Sequence, residues 1–199
     1  MAQMTHLDPL MTTPSAQLAP VSGTDWPWLQ SAVQMARISC QDWPSGLGSR
    51  GNWTTPPRVA TRKPAPAASS IGPSRAFALR TMRRWGETDR ADDVAAVVSE
   101  LLANALRHAL PQAGADAPPW PIRLGLLHAG SHVVCAVADP GAGIPVLREP
   151  GCLEESGRGL LVVASLSDQW GYCPAPESQE QNGEDGKVVW AAFAATGSF

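Results

Sequence analysis

Glu100, Asn104 and His108 recur every four residues, which on a helix sets them in one polar stripe. A carboxylate and an amide oxygen one turn apart can address a metal ion and an attacking nucleophile together. Mg2+ takes oxygen ligands and keeps several waters, so one protein oxygen plus phosphate oxygens suffices to hold it. Asp139 ends an apolar run and is followed by Pro140, Gly141, Ala142 and Gly143. A carboxylate at a strand end accepts well from an exocyclic amine such as adenine's, and the glycines permit close backbone approach. Glu155-Ser-Gly157-Arg158-Gly159 then opens an apolar helix. A glycine turn feeding a helix N-terminus is an anion site, because free N–H groups and the dipole point at the ligand. Arg158 can add a charge-assisted contact. Each stretch alone has an ordinary reading: a solvated helix face, a plain turn, a glycine helix start. In this order and together, they supply the parts that hold a purine nucleotide with its metal and phosphates.

The elements that must position these groups are legible from residue 73 onward. Ser74 suits the N-cap of a helix over residues 75–85, and Gly86 ends it. Asp89 caps a second helix, with Asp92 and Asp93 in its positive first turn. Val94, Val97, Val98, Leu101, Leu102 and Ala105 recur there at helical spacing, and Pro111 stops it. Residues 120–127 and 132–138 are strand-like, joined by a hairpin turn at 128–131. Residues 159–167 read as an apolar helix. Residues 170–173 and 188–193 read as strands, with a polar loop over 174–186. The order helix, helix, strand, strand, helix, strand, strand is α+β. Its hairpin links favour a two-layer sandwich, with helices on one face of a mostly antiparallel sheet.

Residues 1–72 read as a Pro/Trp-containing extension, mostly disordered or loosely docked, and residues 73–199 as the folded domain. Ten of the 19 prolines fall within residues 1–74, and such a stretch recovers little of its ordering entropy by burial. Residues 25–40 have the spacing of one short helix. Residues 41–70 read as linker, and 58–72 show no strand. For Trp26, Trp28, Trp43 and Trp53, exposure in a mobile tail is the simpler expectation, docking on the domain or a partner the alternative. The extension carries +2 and the rest −5, with no basic stripe, so direct nucleic-acid binding is not expected. Cys40, Cys135, Cys152 and Cys173 are widely spaced and read as reduced thiols of a cytosol. With no leader pattern and no run of 18 apolar residues, the expectation is a cytoplasmic protein without a membrane span.

The three stretches resemble the boxes of the GHKL ATPase superfamily: gyrase, histidine kinases, the ninety-kilodalton chaperones and MutL. Glu100-x-x-x-Asn104 is similar to the N box, Asp139-x-Gly141-x-Gly143 to the G1 box and Gly157-x-Gly159-Leu160 to the G2 box. The narrower likeness, carried by residues 98–109, 156–160, Trp170-Gly171 and 186–190, is to RsbW-type anti-sigma factor kinases and related small ATP-binding regulators. The resemblance covers residues 73–195 and implies a Bergerat-type fold. It implies Glu100 as general base, Asn104 as the Mg2+ ligand and Asp139 as partner of the adenine amine. Gly141 and Gly143 would shape the adenine wall and lid hinge, while Gly157, Arg158 and Gly159 would meet the phosphates. Residues 144–156 make a short lid, as in the small kinases. Val188 stands where the pattern has a threonine that helps bind adenine through water. A strand commonly precedes the first helix of the family. No dimerising helix pair with a phosphoacceptor histidine is expected ahead of the domain, and His108, inside the N box, is not expected to be that acceptor, so a full sensor histidine kinase is not the expectation.

The function this resemblance implies is a serine/threonine protein kinase using ATP and Mg2+. Its expected partners are an anti-sigma-factor antagonist, which it phosphorylates, and a sigma factor, which it sequesters. Homodimerisation is left open. The alternative is an ATP-sensing module with weak or no turnover that switches a partner. An α+β domain without nucleotide is the third reading.

Overall fold

The structure is a computed structural model, and it describes residues 27–39, 57–109, 122–141, 143–147, 158–175 and 186–196. Its sheet has five strands in the order β1-β2-β3-β5-β4, every neighbour antiparallel. They are β1 (Arg58–Arg62), β2 (Arg123–Ala129), β3 (His132–Asp139), β4 (Gln169–Pro174) and β5 (Lys187–Ala194). Among the described residues the α-helices are α1 (Pro27–Ser39), α2 (Ile71–Trp85), α3 (Ala91–Asn104) and α4 (Gly159–Leu166). The protein is α+β, as its hairpin-linked pattern predicts.

Side chains alternate across the sheet, and both faces are covered. Val133, Cys135 and Val137 of β3 and Val189, Ala191 and Phe193 of β5 pack beneath the layer of α2, α3 and α4. The intervening Val134, Ala136 and Ala138 of β3 and Val188, Trp190 and Ala192 of β5 meet α1 instead. The expected helical layer is therefore present, and α1 adds a cover on the opposite face. Trp28, Leu29, Ala32, Val33 and Ala36 form its buried stripe. Trp28 is docked on the domain and not exposed; Trp26, Trp43 and Trp53 lie outside the described residues. Close approach depends on Gly125, where an added Cβ would stand 2.8 Å from the Trp28 ring. Gly171 makes the same room for Trp190, whose ring would be 2.7 Å from a Cβ.

Arg58–Arg62 is a strand, contrary to the linker expected there. It lacks a strong apolar pattern because it is an edge strand, held by pairing with β2 and flanked by charges that suit an edge. Helix α2 starts at Ile71, before the expected cap Ser74, which is buried inside it. Pro73 does not prevent this, since proline is tolerated in a first helical turn. Gly86 ends α2 at φ 87°, as read. Asp89 does not cap α3: it sits in the turn before Arg90, and Arg90 pairs with Asp93 at 3.4 Å. Strand β2 runs on through His128 and Ala129, leaving Gly130 and Ser131 as the turn.

His128 belongs to the strand because its ring is buried against Glu87. Its Nε2–H donates to Glu87 Oε1 at 3.0 Å, while Glu87 Oε2 accepts from the Thr196 N–H at 2.7 Å. This buried knot ties the end of α2, β2 and the end of β5 together, far along the sheet from Asp139. Burial pushes the His128 imidazole below its ordinary value. The Glu87 hydrogen bond and charge oppose this, and Arg58 adds to it.

Trp28→Ala should lower stability by about 3 kcal/mol, measured by denaturant unfolding, because it empties the interface under α1. Below about pH 6.5 the unfolded chain binds a proton on His128 that the folded chain refuses, so stability falls as pH falls toward the lowered value. Melting curves against pH should show this acid limb, with a slope of at most about 1.4 kcal/mol per pH unit from this group. His128→Gln should flatten it.

Candidate functional site

A cavity of about 340 Å³ lies where α3, the Asp139 end of the sheet and the start of α4 converge. That size lies in the range of small-molecule sites. Helix α3 sets Asn104 in the cavity wall, while Glu100, one turn earlier on the same stripe, lies beside Gly159 and is not part of the lining; both are half-buried. The helix then widens into a π-helical turn, Ala105–Ala109. Such turns re-aim side chains at functional sites. Here both Arg107 and His108 reach the cavity wall, where a continued stripe pointed to His108 alone.

Gly159 opens α4 directly against the α3 stripe. A Cβ there would lie 2.9 Å from Glu100 Oε2 and 3.3 Å from Asn104 Oδ1. The absence of a side chain lets a helix N-terminus, with its unsatisfied N–H groups, approach a carboxylate and an amide oxygen. Gly159 and Leu160 line the cavity. Arg158, just before the helix, is exposed and is not part of the wall; Gly157 lies outside the described residues.

Asp139 closes the far side. It ends β3, is only 2 % exposed, and lines the cavity. Its Oδ1 accepts from the Gly141 N–H at 2.9 Å and from Lys187 Nζ at 2.7 Å. Lys187 Nζ also donates to the Gly141 carbonyl at 2.8 Å. Burial raises the Asp139 carboxyl above its ordinary value. The Lys187 charge and hydrogen bond oppose that rise, as do the Gly141 N–H and His108. Gly143 lies at the cavity mouth, with Ile144 and Val146 exposed beside it.

Two corrections concern β5. Val188, read as replacing a hydroxyl near the base, faces away from the cavity and is buried under α1. The register that sets Lys187 opposite Asp139 turns Val188 to the other face, so Lys187 and Val189 line the cavity instead. The sequence alone assigns Lys187 no role. Its only local signal is a Gly-Lys pair before an apolar strand, and its role appears once β5 is paired with β3.

The sequence profile of the histidine kinase-like ATPase domain matches residues 64–193. The chain belongs to that family. Among curated proteins, none matches it. Domains of the histidine kinase-like ATPase family bind ATP, usually with Mg2+. The donor set fits that metal, since Asn104 and Glu100 both present oxygens next to Gly159. Among the described residues no three His, Cys, Asp or Glu side chains group to hold a metal, so phosphate oxygens and water would complete its shell. Cys135 and Cys173 are free and buried, their thiols pushed up to about 12 by burial, so neither is a nucleophile. No helix among the described residues is long and apolar enough to cross a membrane.

Gly159→Ala separates site from scaffold. The new Cβ meets the mobile ends of Glu100 and Asn104, not backbone, so stability should change by less than about 1 kcal/mol. Mg·ATP affinity should fall at least about tenfold, because both oxygens are displaced. Thermal melting and titration with a fluorescent ATP analogue check the two halves.

Proposed function

We propose that this ATPase-family chain is a Mg·ATP-dependent serine/threonine protein kinase of the anti-sigma factor type. It transfers the γ-phosphoryl group to a hydroxyl of an anti-sigma-factor antagonist and sequesters a sigma factor in the cytoplasm. The observation that carries the reading is the meeting of Glu100, Asn104 and the α4 N-terminus at Gly159. One end of the cavity thus suits phosphates and a reacting hydroxyl. The other, at Asp139, suits a base with an exocyclic amine. The likeness of residues 98–109 and 186–190 to RsbW-type kinases supports the protein substrate.

In this mechanism Asp139 accepts a hydrogen bond from the adenine amine, and Gly143 and Ile144 border the base. The first N–H groups of α4 receive phosphate oxygens. Glu100 orients the substrate hydroxyl and takes its proton as the oxygen attacks the γ-phosphorus, with ADP leaving. Asn104 would hold Mg2+, which when bound offsets the charge gathered on the phosphates. The rest is positioning, since phosphoryl transfer asks little covalent chemistry of the protein.

A second reading keeps the same nucleotide site without turnover. Exposed Ile144 and Val146 on its rim favour a surface that a partner reads when nucleotide is present. Glu100→Ala decides between them. A kinase should lose at least about 100-fold in transfer from labelled ATP to the antagonist, with ATP affinity kept within a few-fold. No phosphoprotein with the wild-type chain would leave the sensor. Transfer at the normal rate in the variant would remove Glu100 from its role.

A further inference from the structure

The Asp139–Lys187 pair is built unlike a surface ion pair. The Asp139 side chain is 2 % exposed and that of Lys187 14 %. The β3–β5 register sets the two residues directly opposite each other, so their contact is fixed by strand pairing. All hydrogen bonds that the described residues make to the carboxylate converge on one oxygen, Oδ1. Lys187 also grips the Gly141 carbonyl, locking the loop behind the acid. Oδ2 receives no hydrogen bond from the described residues.

We propose that Lys187 is a positioning residue for the nucleotide base: it holds Asp139 as a carboxylate with Oδ1 engaged, reserving Oδ2 as the acceptor for an exocyclic amino group. The proposal rests on the ATP reading and extends it to specificity. A 6-amino purine donates to Oδ2. A purine without the amine leaves Oδ2 of the buried carboxylate without a hydrogen bond, and a 6-oxo purine sets a carbonyl oxygen against it. A neutral carboxylic acid would blur this choice, because its proton lets it donate as well as accept.

Burial alone would favour that neutral form. The charged and titratable groups that line the cavity with Asp139 are Lys187 from β5 and Arg107 and His108 from the π turn; Glu100 of α3 lies behind Gly159, outside the lining. Of the influences acting against burial, Lys187 is the largest. Removing its charge should therefore move protonation of Asp139 to higher pH. Base binding, which needs the ionised form, should then be lost earlier as pH falls.

The test is calorimetric titration of the full chain with Mg·ATP and with Mg·purine riboside triphosphate, which lacks only the amine. It spans about pH 5 to about pH 9 and compares wild type, Lys187→Met, Lys187→Gln and Lys187→Arg. Wild type should prefer ATP by about ten- to hundredfold at neutral pH. Lys187→Met should narrow that preference to a few-fold and shift the acid limb of its ATP affinity to higher pH, while Lys187→Arg restores both. Lys187→Gln, which can still donate to Gly141 but carries no charge, should shift the acid limb likewise; it decides the matter if the Met variant does not fold. A Met or Gln variant that melts like wild type and keeps both its preference and its pH profile overturns the Lys187 role while leaving ATP binding intact. Wild type that binds neither nucleotide overturns the ATP reading and the Lys187 role together.

Discussion

A carboxylate taken out of water at the end of a strand is costly unless charge and hydrogen bonds reach it. Asp139 is such a group, and much of the architecture serves to reach it. The cation comes from β5, far along the chain, and only the antiparallel pairing of β5 with β3 puts Lys187 across from it. The turn after β3 contributes the Gly141 N–H, and Lys187 ties that turn down through its carbonyl. Sheet order, register and loop shape are thus constrained by one buried oxygen.

The opposite end of the cavity follows a different logic, where the polar groups are only half-buried. Glu100 and Asn104 are half-exposed helix residues, brought into play because α4 starts against them at a glycine. One end of the site is held by a largely buried ion pair and the other by close approach of a helix terminus. Such a division suits a ligand with a flat, weakly charged ring at one end and a highly charged tail at the other.

Much of this was legible in the sequence. Asp139, Glu100, Asn104 and Gly159 were picked out by residue type and spacing, because each owes its place to local structure: a strand end, a helix period, a helix start. The α2–α4 layer and four strands followed from apolar patterning. What escaped depends on partners distant in sequence. Arg58–Arg62 has too little apolar content to announce a strand, and β2 makes it one. Lys187 and Val188 exchange their apparent importance once register decides which of them faces the cavity. The π turn after Asn104 also escaped, since helical spacing alone cannot show that the chain widens there. The spacing over 25–40 does predict the α1 helix, but a helical stripe does not say which surface it covers, so the docking of Trp28 on the second face of the sheet appears only in the fold.

The two glycines beneath the second face carry a meaning for descent. Gly125 and Gly171 are sockets, one cut for the Trp28 ring and one for the Trp190 ring. Neither half of such a couple can drift freely. A methyl group gained at the socket collides with the ring, and a ring lost from its socket leaves a hollow. The segment bearing Trp28 is therefore coupled to position 125: a side chain there and the α1 ring would claim the same space, so a change at one calls for a change at the other.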